Sequence, residues 1–188
     1  MGLDMYAVRR THVKKWKHEP PSEEYSVQVT KGGEPVADID PERISQVDEE
    51  VMYWRKANHI HAWFVENVQD GIDNCASYYV SDEKLEELLG LCKRVIRASK
   101  LVDGAVLASY SWDSETKQRI ENREAGKVIK NPKVAQELLP RQEGFFFGGY
   151  EYDEWYLKDV QDTHDWIVQT FKDRAKGILS DIYYSSSW

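Results

Sequence analysis

The stretch 51–71, VMYWRKANHIHAWFVENVQDG, constrains this chain most. Val47, Val51, Trp54, Asn58, His61, Val65 and Val68 recur at alternating spacings of four and three, which keeps one face of an α-helix. Tyr53, Ala57, Ile60 and Phe64 widen that face into a stripe fit to meet a core. The spacing therefore predicts a helix through this region. Two polar residues, Asn58 and His61, sit one turn apart inside the apolar stripe. A buried amide or imidazole without partners costs about 1–3 kcal/mol. These two either anchor an internal network or face a polar cleft. Arg55 and Lys56 flank Asn58, where they bring positive charge to a cleft edge or simply form a solvated face.

A chain of 188 residues suits one domain, expected to span 1–188 with variable loops near 9–24 and 111–127. No apolar run approaches a membrane span, and the N-terminal residues lack the apolar core of a signal peptide. Two cysteines, Cys75 and Cys92, define neither a disulfide framework nor a zinc site. The expected compartment is the cytoplasm.

The net charge of −8 is unevenly spread. Residues 34–80 hold ten acids and three bases, and 142–188 hold nine acids and four bases. The same two segments carry 18 of the 23 aromatic residues. Such surfaces do not suit a protein that binds a phosphate backbone, so no nucleic acid and no membrane is expected as a partner. They suit a protein partner, a cationic ligand, or a pocket with individually placed bases; a homo-oligomer stays open.

Taken in order, 3–8 reads as a strand, and Tyr25, Val27 and Val29 alternate with polar residues as a second. A turn at Gly32-Gly33 leads to a possible edge strand over 35–39. Asp40 with Pro41 signals a helix start, and the helix is expected to break near Val47 and end at Gly71. Ser81 caps a helix whose buried face holds Leu85, Leu88, Leu89, Cys92, Val95, Ile96 and Ser99, with Gly90 tolerable where a neighbour packs closely. Residues 105–112 read as a strand with mixed faces, and the charged stretch 113–127 as a loop or lid. A short helix follows Pro132. Gly144 to Tyr150, with three phenylalanines between glycines, reads as a buried strand. Asp153 caps the last helix, which carries His164 on its stripe, and 181–184 is a final strand. The sum is α+β: one domain of about three main helices on a small, mainly antiparallel sheet, with first and last strands pairing.

Tests for particular chemistries mostly fail. His59 and His61 lie about 200° apart on a helix, so they diverge as metal ligands. The chain has no GxxxxGK[ST], GxGxxG or GxSxG. No metal and no cofactor is expected. Glu151, Asp153 and Glu154, if paired with His61 or His164, could do acid–base work, although in a chain with 33 acids that pattern has little specificity. An aromatic cleft is the sharper idea: Trp54, Phe147, Tyr150 and Trp155 stack on a planar ligand, while Arg55 or Lys56 holds a phosphate and Asn58 and His61 make polar contacts.

Four blocks carry a family resemblance: the opening MGLDMY, YWRKANHIHAWFVENVQDGIDNCASYYVS, LLPRQEGFFFGGYEYDEWYLKDV and the ending DIYYSSSW. Together they resemble a family of small proteins encoded in bacteriophages and prophages. The likeness spans most of the chain apart from 14–36 and 111–126. Some members carry a phosphoglycerate kinase label, which a chain this short without a two-domain nucleotide fold does not support. The resemblance implies an accessory protein that counters host defence, by binding a defence protein or sequestering a nucleotide signal. The variable 111–126 region is then not the seat of a shared chemistry. Three expectations follow: a non-catalytic binder of a nucleotide-like small molecule, a hydrolase of a phosphorylated metabolite with His61 as acid–base, or an acidic inhibitor of a host protein.

Overall fold

The structure, a computed structural model, describes residues 2–15, 20, 24–142, 149–178 and 180–188. Its elements are β1 (Asp4–His12), β2 (Thr30–Lys31), β3 (Glu34–Pro35), β4 (Gln46–Arg55), α1 (Asn58–Asn67), β5 (Tyr78–Val80), α2 (Asp82–Ala98), β6 (Leu101–Trp112), β7 (Arg119–Ile129), α3 (Lys133–Leu138), α4 (Glu154–Ala175) and β8 (Asp181–Ser187). The α+β expectation holds. The main sheet is antiparallel with order β4-β1-β8-β5, so the first and last strands do pair, Asp4 opposite Ser187. No helix among the described residues is long and apolar enough to cross a membrane.

The long helix expected before Asn58 is instead the edge strand β4, and only a short 3-10 turn follows Asp40, at Pro41–Arg43. The reason lies in one bulge. Met52 faces Ala7 and Glu50 faces Val8, so Val51 is an extra residue in the ladder. An inserted residue shifts the period-two alternation by one. Val47, Val51 and Trp54 then fall at spacings of four and three, which imitate a helix. The acidic run that follows Val47 has cross-strand partners rather than helical ones. Arg10 clasps Asp48 through Nε and Nη2 at 2.8 Å each, and Arg9 clasps Glu49 at 2.9 Å twice. Lys56, with φ at 59°, turns the chain from β4 into α1.

One sheet face looks inward. Met5, Ala7, Trp54, Ile182, Tyr184 and Val80 are buried on it against the helices. Trp54 reaches α4, where its Nε1 donates to Thr163 Oγ1 at 2.8 Å and its ring meets Trp166 edge to face. Ser81 and Asp153 cap α2 and α4 as their sequence signals predict, accepting from the amides of Lys84 and Tyr156. Of the predicted α2 face, Leu85, Leu88, Leu89, Cys92 and Val95 are buried, while Ile96 and Ser99 at its C-terminal end are only partly covered. A Cβ at Gly90 would meet nothing within 4 Å, so close packing does not explain that glycine.

The 113–127 loop is also a correction. Most of it is β7, paired along its length with β6 in a separate two-stranded ribbon. From Ala108 to Ala125 every residue except Asp113 is exposed. With both faces wet, the sequence has no apolar alternation to show. At the base, Gly104 and Gly126 oppose each other, and a Cβ on either would come within 2.6 Å of Val128 or Val106. The two valines thus fill the space the glycines leave. The other expected loop, 9–24, begins as the second half of β1. Residues 24–29 form no regular strand. The strand expected at Gly144 to Tyr150 falls largely outside the described residues.

Candidate functional site

Because α1 starts at Asn58, four consecutive residues, Asn58 to His61, enter the core together. Each polar member meets the protein itself. Asn58 Oδ1 accepts from Gln142 N at 3.3 Å, and its Nδ2 donates to Gly149 O at 3.1 Å. It therefore ties the two ends of the 142–149 segment to the start of α1.

His61 bridges in another direction. Its Nε2 lies 3.2 Å from Asp73 Oδ1, and its Nδ1 lies 2.8 Å from the Tyr184 hydroxyl. A carboxylate only accepts, so the proton belongs on Nε2 and the phenol donates to Nδ1. Burial lowers the His61 pKa, and Asp73 opposes that shift. Tyr184 is fully buried and stacks on Phe64 at 3.9 Å, and burial raises its pKa. A carboxylate, an imidazole and a phenol in a row resemble a catalytic relay. Here the phenol is shut inside the core, and the row links α1, the 68–77 connection and β8.

His59, weighed in the sequence only as a metal ligand beside His61, opens onto a second cluster. Arg141 Nη1 donates to His59 Nδ1 at 3.3 Å, and the His59 ring lies on Tyr156 with centroids 4.3 Å apart. A guanidinium only donates, so the neutral imidazole holds its proton on Nε2. That N–H is buried with no acceptor among the described residues. Burial pushes the His59 pKa well down, and Arg141 adds to it. Arg141 is itself nearly buried. It donates to Glu151 O at 3.1 Å, sits 3.9 Å from Asp153 Oδ1, and lies over the Tyr156 ring at 5.0 Å. Nearby on α4, burial pushes the Asp159 carboxyl up to about 7, with Arg141 pulling the other way. A cavity of about 170 Å³ adjoins, lined by His59, Trp63, Glu66, Leu139, Pro140 and Gln142. It lies between α1 and the 138–142 stretch, but none of the predicted site residues among those described lines it.

The predicted site residues do not converge. Trp54 is a core residue at 2% exposure. Arg55 is exposed at 3.9 Å from Asp4, and Lys56 is the left-handed turn residue before α1. Tyr150 and Trp155 are exposed, Asp153 is the cap of α4, and Glu154 follows in its first turn. Phe147 lies outside the described residues. The structure does bring Asn58 to Gly149, next to Tyr150, and Trp54 and His61 to the same Tyr184 ring. Among the described residues no group of three or more His, Cys, Asp or Glu is placed to hold a metal ion.

The outward face of the main sheet is a different surface. Tyr6, Tyr53, Tyr79 and Tyr183 share it by register, and Tyr53 and Tyr79 are 43% and 53% exposed. They pair as Tyr6 with Tyr53 at 5.4 Å and Tyr79 with Tyr183 at 5.9 Å, and Arg10 lies over Tyr183 at 4.3 Å. The same register puts Asp4, Asp48, Glu50 and Asp181 on this face against Arg10, Arg55 and His12. Arg10 is held by Asp48 and His12 by Asp181. The sequence signal was present in the alternation of β1 and β8, where Tyr183 and Tyr184 must point opposite ways. It was hidden in β4 by the bulge. Comparison with protein families, curated proteins and solved structures matched none of them to this chain.

Proposed function

We propose that this protein works without catalysis, as a binding protein that docks another protein on the tyrosine face of its sheet. The observation that carries the reading is the sharing of one outward sheet face by Tyr6, Tyr53, Tyr79 and Tyr183, with Tyr53 and Tyr79 exposed. Tyrosine gives a large amphipathic contact with only two side-chain rotors to immobilise, which is why binding surfaces favour it. A strand-borne set loses even less freedom on docking. Four carboxylates border the rings against two arginines and a histidine, in a chain of net charge −8. The complementary partner is a basic protein surface, whose Lys and Arg side chains meet both carboxylates and ring faces.

This is the acidic-inhibitor expectation, given a surface. On the phage resemblance the partner is a host defence protein. A nucleotide-like ligand in a cleft beside α1 has less support, because Trp54, Asn58 and His61 spend their contacts inside the core. The hydrolase reading needs a proton-transfer group that meets a substrate, whereas His61 is 3% exposed between Asp73 and Tyr184.

The test is capture from a bacterial host lysate on immobilised protein. The reading expects a basic protein to bind at low salt, and to be lost both with Tyr53→Ala/Tyr183→Ala and at roughly 0.5 M salt, where screening is nearly complete beyond contact. Capture that survives both changes, or a bound partner that proves to be a second copy of this chain, contradicts it.

A further inference from the structure

On the other side of the sheet, two of the buried N–H groups that bond to nothing among the described residues belong to side chains that line one cavity. They are Trp166 Nε1 and Arg174 Nε. The cavity holds about 290 Å³ between the C-terminal half of α4 and the inward faces of β1, β4 and β8. Val51, Trp166, Ile178 and Ile182 give it apolar walls. Arg9, Arg174 and Asp173 give it charge. Arg9 is held by Glu49 and Asp173, and Arg174 Nη1 donates to Asp82. The lining carries two guanidinium groups and one carboxylate, and Glu49 and Asp82 also hold those guanidinium groups, so what the cavity offers a ligand is its unbonded donors rather than a net charge.

An unpaired buried donor is destabilising, and proteins rarely leave two together. Trp166 is 7% exposed, and solvent does not reach its N–H. Its ring meets Trp54 edge to face at 5.3 Å, and a π face is a second-order acceptor at best. Both side chains line a cavity of a size for a single aromatic ring and its substituent. Small-ligand sites are built this way, with apolar walls and a few placed donors.

We propose that this cavity binds a small organic anion with a flat apolar body. The body lies between Trp166, Val51, Ile178 and Ile182, and its anionic oxygens accept from Arg174 Nε and Trp166 Nε1. A carboxylate and a phosphate monoester present the same acceptor chemistry here. This site is on the opposite side of the sheet from the tyrosine face and stands or falls separately from it.

The experiment uses the full chain labelled with ¹⁵N, with the Trp166 indole N–H signal assigned by its loss in Trp166→Phe and by its shift in Arg174→Gln. The probes are phenylacetate, phenyl phosphate and the neutral phenylacetamide, each at millimolar concentration. The proposal expects at least one anion to move the Trp166 signal and raise Tm by about 3 °C, with phenylacetamide inert. Arg174→Gln should weaken that anion about tenfold. Ile178→Trp fills the cavity from a partly exposed wall, and should abolish the response while the protein stays folded. A response to phenylacetate alone assigns a carboxylate ligand, and one to phenyl phosphate alone a phosphorylated ligand. The proposal is overturned if no anion moves the signal, if phenylacetamide binds as well as the anions, or if the response survives Ile178→Trp.

Discussion

Tyr183 and Tyr184 are neighbours on β8, and they meet opposite environments. Tyr184 points inward, fully buried, stacked on Phe64 and bonded to His61. Tyr183 points outward, against Tyr79 and under Arg10. The same contrast separates Trp54 from Tyr53 on β4. The two sides of one four-stranded sheet thus divide the work. The inner side spends its polar groups on holding elements together, and the outer side leaves rings exposed, where the proposed function docks a partner. The conspicuous residues of a sequence need not be the working ones: an Asn and a His on an apolar stripe proved to be fastenings.

The largest expected effect breaks the inner side. Trp54→Ala removes a buried indole and its bond to Thr163, and should lower stability by about 4 kcal/mol in urea unfolding. Tyr53→Ala, one residue away on the outer side, should cost about 0.5 kcal/mol or less. Equal losses would erase the distinction between the faces.

A second prediction tests how the helical layer behind the inner side handles charge. Burial raises the folded Asp159 carboxyl to about 7, against roughly 4 in an unfolded chain. The folded state therefore holds a proton that the unfolded state has released. The stability tied to that proton is fully present below about pH 4 and is lost as pH rises through about 7. Asp159→Asn keeps the neutral form, so it should raise Tm by roughly 3 °C at about pH 8 and change it little at about pH 4. A variant that is less stable at the higher pH would show that Arg141 needs this carboxylate.

The smallest effect lies at the joint between the sheet and α1. Lys56 adopts φ 59°, which favours glycine, while its amide donates to Leu3 O at 2.8 Å. Lys56→Gly keeps that bond and relieves the backbone, and should stabilise the protein by about 0.5 kcal/mol, after the entropy glycine loses. A loss of stability would mean that the lysine side chain holds the joint.

What could be read from the sequence follows from how local each signal is. Ser81 and Asp153 announce their helices because a cap is written within three residues of the bond it makes. The face of α2 and the pairing of the end strands were legible for similar reasons of period. β4 was not, because a single bulge at Val51 turned a strand's alternation into helical spacing. β7 was not, because a ribbon wet on both faces needs no apolar pattern. Arg141 and Asp159 were missed because their environment is made by contacts far apart in sequence, from His59 to Glu151 and Asp153. Of the candidate site residues, the sequence correctly marked Asn58 and His61 as unusual. It could not tell a fastening from a contact, since both need a polar group inside an apolar stripe.

The most direct test of the central claim measures Tyr183→Ala and Tyr184→Ala side by side, for urea midpoint and for capture of a basic partner at low salt. The account predicts that Tyr184→Ala loses about 3 kcal/mol or more, while Tyr183→Ala keeps a near wild-type midpoint and loses the partner. A stable Tyr183→Ala protein that captures its partner as well as the wild type would contradict it.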